Sequence, residues 1–493
     1  MRAHLTVTAV GFTLALAACA SSHGLHPHGV LMDPASLSMK REPAQVALSS
    51  VAWPSADWWS ALGDAQLDAL IAEALQNNPN LAQADARAQQ AEANTAFADA
   101  VRKPEISASG RVAEVRLPTT LPPLGNGHNK AAKYLFANFS WHLDPWGGER
   151  AAWEAALGVQ RATEIDAQAA RILLSGNVAR AYVQLGYAYA QQDVAAAELK
   201  RANDVRTLTQ QRLAAGIDNV LQLKESDSEV ASAQGQSARA DRAIDAARSA
   251  LSVLLGKGPD RGSSLTRPQL LAPKTLEIPA DLPAELLGHR ADLVAARWRV
   301  EASEKDIESA KTQFLPNINI TALAGLLALG GGDLIEAKSR LYAATPAVSL
   351  PIFDAGRRRA HLSGKDAEYD VAVAQYNETL VRAVNQVADE RDALDSLQLQ
   401  IEAQQRALDA ANDAWLLAEG RFKGGIGSYL EALSVRQVLL LAEERMAALR
   451  AQQADFSVQM IQALGGGYRP NRSAPNLSAV IPRSASPFPT HRT

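Results

Sequence analysis

Few residues in this chain are placed to do chemistry, and each set implies a different kind. Arg357, Arg358 and Arg359 follow the turn Asp354-Ala355-Gly356. Clustered guanidinium groups of this sort hold phosphates or carboxylates. His23, His26 and His28 could gather a metal ion, but no cysteine or carboxylate adjoins them, so they read as part of a solvated linker. The glycine-rich run from Gly256 to Gly262 follows a helical stretch and contains Pro259, which fits a linker better than a phosphate loop. The chain contains no P-loop, GxSxG or HExxH motif. The expectation is a protein that is not an enzyme and needs neither cofactor nor metal.

Bulk composition narrows the classes further. The 493 residues carry a net charge of −4, which argues against nucleic acid as a partner. Apolar residues make up 47% but aromatics only 5%, with alanine supplying much of the apolar count. Such a balance favours long helices over a bulky core. At the N-terminus, Arg2 and His4 precede an apolar run, Leu5 to Ala18, too short to span a membrane. It ends in Leu16-Ala17-Ala18-Cys19 and holds the chain's only cysteine. This resembles a bacterial lipobox, which implies lipidation at Cys19. The following Ala20 and Ser21, with no aspartate, imply outer-membrane destination by the same resemblance.

The elements that carry these residues occur twice. Arg212, Gly216, Ile217 and Leu221 recur as Arg421, Gly425, Ile426 and Leu430. Leu255-Gly256 recurs as Leu464-Gly465, and Gly147 and Arg150 recur as Gly356 and Arg359. Upstream, Leu81 and Pro104 recur as Leu293 and Pro316. Each half therefore reads in one order: a helix (Leu67 to Val101; Leu286 to Gln313), a terminating proline, two strands, and a long proline-free helical hairpin. A helix from Trp153 to Leu213 would be about 90 Å long. The hairpins turn at Gly216 and at Gly424-Gly425, where glycine accepts positive φ. The expected segments are a signal peptide (1–18), a lipid-anchored tether (19–52), a first repeat (53–257), a linker (258–282), a second repeat (283–466) and a flexible tail (467–493).

Four runs alternate apolar and polar residues with the period of a strand: 106–112, 138–143, 317–322 and 345–350. One apolar and one polar face suit an outer-membrane barrel. Four strands cannot close one, and a bilayer tolerates no open sheet edge, so other subunits must complete it.

Taken in order, several motifs carry a resemblance: WWSALGDAQLDALIAEAL (58–75), SWHLDPWGGERA (140–151), DLPAELLGHRADLVAA (281–296), QFLPNINI (313–320), SLPIFDAGRRRA (349–360) and the paired tips. Together they resemble the TolC-like outer-membrane efflux proteins, in the OprM/NodT-type lipoprotein branch. The resemblance implies a mixed α/β membrane protein, a homotrimer whose 12-stranded β-barrel continues into a periplasmic α-helical barrel. It implies a periplasmic adaptor, an inner-membrane pump of the RND type and outer-membrane lipid as partners. The protein would conduct passively what the pump energises. Type I protein secretion and a periplasmic coiled-coil structural lipoprotein are the alternatives.

The resemblance places the closed gate at the hairpin tips. Leu430 stands where the family has an apolar constriction. Ser434 and Gln437 stand where OprM-like members carry an aspartate and an arginine, so that lock does not transfer. Glu431 is the nearest acid and could form a three-fold ring that favours cations; Asp218 in the first tip is a second such acid. Asp144, Gly147, Asp354, Gly356, Arg357 and Arg359 mark the two joints between barrel and long helix, where the arginines would meet lipid headgroups or carboxylates on neighbouring helices. The five methionines give no sign of a metal-conducting path.

Overall fold

The computed structural model describes residues 22, 24–37, 53–116, 118–120, 127–269, 288–330 and 332–469. In chain order these form α1 (Ala65–Asn77), α2 (Pro79–Val101), β1 (Glu105–Arg116), β2 (Asn129–Leu143), α3 (Gly148–Ala214) and α4 (Val220–Leu254). A four-residue turn of helix, α5 (Asp260–Ser263), precedes α6 (Ala291–Thr312), β3 (Asn317–Leu329), β4 (Arg340–Ser349), α7 (Arg357–Lys423) and α8 (Tyr429–Ala463). Among the described residues no helix is long and apolar enough to cross a membrane.

The duplication is metrically regular. Helices α3 and α7 both have 67 residues and begin at Gly148 and Arg357, 209 positions apart. Helices α4 and α8 both have 35 and begin at Val220 and Tyr429, again 209 apart. Left-handed glycines repeat at the same spacing: Gly147 and Gly356, Gly216 and Gly425, Gly256 and Gly465. Helices α2 and α6, and strands β1 and β3, are instead offset by 212. The three-residue contraction falls between the first strand of each repeat and its long helix.

Two compact units divide these elements, each drawing on separated parts of the chain. The first holds residues 86–164 and 295–377 with the N-terminal segment up to Leu31. It contains the antiparallel sheet, in the order β1-β2-β3-β4. Register puts Ile106, Phe139, Ala322 and Ala344 opposite one another, and likewise Ala108, Ala137, Ala324 and Tyr342. The next set over is Ser107, Asn138, Leu323 and Ala343. A period of two therefore sends one largely apolar set to one face and the serines and asparagines to the other. On that second face the Asn138 side chain donates to Ser109 Oγ at 2.9 Å. Gly325 has no room for a side chain: a Cβ there would overlap the Leu135 carbonyl.

The second unit holds residues 32–85, 165–294 and 378 onward. Its core packs Leu67, Leu70 and Ile71 of α1 with Val178, Tyr182 and Leu185 of α3, Leu251 of α4 and Val458 of α8. Each such buried aliphatic side chain contributes about 1.5–3 kcal/mol of transfer free energy. Asp64 caps α1 by accepting from the Gln66 and Leu67 amides, and its other oxygen accepts from the buried Tyr182 hydroxyl at 2.9 Å. Burial pushes that phenol's pKa well up, so it stays a donor. Arg180 of α3 pairs with Asp455 of α8 at 2.6 Å.

The first helix is interrupted at Asn78-Pro79, as those residues imply: Asn78 is extended ahead of Pro79 and donates its side-chain amide to the Leu254 carbonyl. Structure and expectation differ in two other places. The fourth strand ends at Ser349, since Pro351 has no amide to extend the ladder. The histidine-bearing segment, expected to be solvated, is docked in the first unit. Asp370 of α7 accepts from the His28 and Gly29 amides at 2.8 and 2.6 Å, and Asn377 donates to the Val30 carbonyl at 2.9 Å. Leu25 packs on the buried cluster Ile307, Ala310, Phe314 and Leu362. Cys19, the signal segment, most of the tether, the end of the linker with the first residues of the second repeat (270–287, including the expected helix start Leu286) and the tail from 470 lie outside the described residues.

Candidate functional site

Two kinds of feature recur in each repeat: a joint from strand to long helix, and a hairpin tip at the helix's far end. At the first joint, Asp144 ends β2's continuation and caps α3. Its two oxygens accept from the Gly148 and Arg150 amides at 2.7 and 2.9 Å. A carboxylate there offsets the unpaired amides and the positive end of the helix dipole. At the second joint, Asp354 accepts from the Gly356 and Arg358 amides at 3.1 and 3.2 Å and from the Arg358 guanidinium at 2.6 Å. Desolvation raises the Asp354 pKa, but those donors outweigh it and hold the carboxyl below its ordinary value.

The second joint is one residue tighter. Three positions separate Asp144 from Gly147, and two separate Asp354 from Gly356. The tighter turn puts Ala355 at φ 55°, the one described non-glycine residue with positive φ. Of the three arginines, the middle one makes the joint's ion pair; Arg357 and Arg359 are exposed on the first turn of α7. In the sequence Arg358 is grouped with its two neighbours and not singled out as the partner of Asp354. Its signal was there, as an arginine four residues after the capping aspartate.

The tips are built alike in backbone. In the first, the Arg212 carbonyl accepts from the Ile217 and Asp218 amides at 2.9 and 3.3 Å. In the second, the Arg421 carbonyl accepts from the Ile426 and Gly427 amides at 2.9 and 3.1 Å. Gly216 and Gly425 take φ 72° and 74°, closing each helix in the left-handed conformation that costs a residue with a Cβ about 1–2 kcal/mol. Return helices start from caps: Asn219 and Gln222 form a reciprocal capping box, and Ser428 accepts from the Glu431 amide at 3.1 Å.

Side chains distinguish them. Asp218 is only 9% accessible and takes two hydrogen bonds from Arg212, at 2.8 and 3.0 Å. This bond raises the Arg212 pKa further. The acid is thus engaged within its own tip. The corresponding position in the second tip is Gly427, so no such clamp can form there. Gly424 stands where the first tip has Ala215. Phe422 and Tyr429 pack their rings 4.8 Å apart instead.

Along α8, Leu430, Glu431, Ser434 and Gln437 are all exposed in the single chain, while Ala432, Leu433, Leu439 and Leu440 are buried. Leu430, Ser434, Gln437 and Leu441 follow at helical spacing, so one face of the return helix presents this mixed stripe outward. Glu431 sits at the third position of the helix, where its charge favours the helix start.

Three comparisons bear on this geometry. A family model described as outer membrane efflux protein matches the chain twice, over residues 70–257 and 282–466, one match per repeat. The fusaric acid resistance protein FusA of Burkholderia cepacia is 34% identical over 372 residues, covering 74% of this chain and 69% of that protein. The outer membrane protein OprJ of Pseudomonas aeruginosa is 32% identical over 420 residues, covering 85% and 87%. Among solved structures, the outer membrane protein VceC of Vibrio cholerae superposes with a TM-score of 0.76 at 33% identity, covering 84% of this chain and all of that one.

Proposed function

The chain belongs to the outer membrane efflux protein family, and from that premise we propose that three copies join their sheets into one barrel and serve as the exit duct of a tripartite efflux system. The protein is an outer-membrane efflux channel. It conducts passively; the energy is supplied by an inner-membrane pump of the RND type, reached through a periplasmic adaptor at the hairpin tips. Lipidation at Cys19 anchors each copy. The substrates are small organic molecules of the kind handled by the fusaric acid and multidrug resistance relatives.

The observation that carries this reading is the sheet itself. Its four strands end in two open edges, β1 and β4, and every residue of β4 is exposed. An open edge in hydrocarbon costs several kcal/mol for each unpaired group, so the edges must meet other copies. Three copies supply twelve strands. The expected result is an outer-membrane species of about three chain masses that dissociates on heating. A monomer after mild extraction would overturn the proposal.

The gate lies on the stripe of α8 beginning at Leu430. Glu431→Gln is expected to lower cation preference in single-channel recordings, and Leu430→Ala to raise conductance. Unchanged currents in both would place the constriction elsewhere.

A further inference from the structure

The two joints are related by the duplication, yet one is filled and the other is open. At the second joint, Phe314 and Leu362 are buried together, and Leu25 from the N-terminal segment covers them. Their counterparts at the first joint are Arg102, 212 positions before Phe314, and Trp153, 209 before Leu362. The Arg102 guanidinium lies over the Trp153 ring, 5.0 Å from its centroid. In place of a covered apolar cluster there is a cavity of about 520 Å³, lined by Arg102, Trp141, His142, Asp144, Trp146 and Arg150 among others.

The lining is fixed in place. Trp141 Nε1 donates to the Arg102 carbonyl at 3.2 Å, and Trp146 Nε1 to the Pro316 carbonyl at 2.7 Å. Arg102 spends one terminal nitrogen on Asp99 at 3.2 Å, and Arg150 spends Nε on Glu154 at 2.9 Å. Each guanidinium fork keeps further donors. Glu149, next to Arg150 in the chain, has one buried oxygen without a hydrogen-bond partner, and burial raises its pKa. Phe97 and Val101, on the turns of α2 leading to Arg102, are exposed apolar side chains.

We propose that this cavity binds the headgroup of a zwitterionic phospholipid, with its phosphate on Arg102 and Arg150 and its ammonium between Asp144 and the tryptophan rings. The proposal rests on the outer-membrane reading above, which puts the strand ends at the bilayer boundary. Mixed charge is what selects this ligand. Two arginines alone would suit any anion, but Asp144 stands among them and repels one. A headgroup carrying both signs satisfies both, and indole rings favour such interfacial positions and hold ammonium groups over their faces. Exposed Phe97 and Val101 continue the site as a surface for the acyl chains. The lipid thus takes the covering role that Leu25 plays at the second joint.

The test uses the full mature chain, purified in mild detergent, stripped of lipid and titrated with short-chain phosphatidylethanolamine, phosphatidylglycerol or inorganic phosphate. Bound lipid is read by native mass spectrometry and by tryptophan fluorescence. Phosphatidylethanolamine is expected to bind at about one per chain and more tightly than phosphatidylglycerol. The double variant R102Q/R150Q is expected to lose about a hundredfold in affinity, roughly tenfold for each charge-assisted hydrogen bond removed. R150Q alone, changing a largely exposed side chain, should give a smaller loss in a fold that melts unchanged. Equal affinity in the double variant overturns the proposal. So does displacement of the lipid by millimolar phosphate, which marks a free-anion site, or binding to single chains but not to the assembled oligomer, which marks the cavity as covered by a neighbouring copy. Loss of headgroup binding with the protein still in outer-membrane fractions counts against this site alone. Recovery in soluble fractions counts against the membrane reading.

Discussion

The two hairpin tips run one backbone path through different chemistry. Both close with a left-handed glycine and the same pair of amides on an arginine carbonyl. In the first, Asp218 locks onto the Arg212 side chain across the turn. In the second, glycine stands at the corresponding position, a second glycine precedes the turn, and aromatic rings replace the ion pair. A duplicated unit can thus keep its geometry while one copy is stiffened and the other left free to rearrange. Glycine widens the backbone states available on opening, whereas a bidentate arginine–carboxylate pair narrows them. The second tip therefore has more backbone freedom than the first.

Five changes test that contrast, in descending order of effect. Gly216→Ala and Gly425→Ala each force a Cβ into the left-handed region, at about 1–2 kcal/mol. A Cβ at either site meets nothing within 4 Å, so the cost is purely conformational and should be equal in the two tips. Hydrogen exchange over residues 212–219 and 421–428 would measure it, and markedly unequal losses would show that the backbones are not equivalent. Asp218→Asn removes the charge of the clamp. It should speed exchange at the first tip about tenfold, toward the rate of the second, with no change at the second. Gly427→Asp is the reverse experiment, offering Arg421 the missing partner. It should slow exchange at the second tip several-fold, although the new Cβ must first push the Arg421 Cβ, 3.2 Å away, aside by a few tenths of an ångström. Smallest is the effect of Glu431→Gln on tip exchange: the residue keeps its amide on Ser428 and loses only its favourable charge at the helix start, about 0.3–1 kcal/mol. A larger change would assign Glu431 a structural contact within the chain.

Much of this was legible before any coordinates. Proline stops, alternation and the paired glycines carry the order of helices, strands and turns, because these devices act through local backbone sterics. Side-chain partners were less visible. The Arg212–Asp218 pair spans a turn, so its spacing follows no helical or strand period, whereas Asp354 and Arg358 are four apart but Asp354 lies ahead of the helix it caps. The docked N-terminal segment was read as solvated because it holds prolines, glycines and histidines in no repeating pattern. It is held through its own amides and a carbonyl, by Asp370 and Asn377, and backbone donors leave no trace in composition. Gly29 could have been suspected: a Cβ there would come within 3.0 Å of Asp370 and Val373.

That docking also fixes an order of events in time. The segment around His28 is synthesised early, whereas its receptor residues, Asp370 and Asn377, lie more than 340 positions later. Closing so distant a contact is slow and cannot begin until the chain has extended into the second long helix. A chain cut short before Asp370 would leave this segment unmoored. The contact thus secures this segment only in molecules that have extended past the first turns of the second long helix.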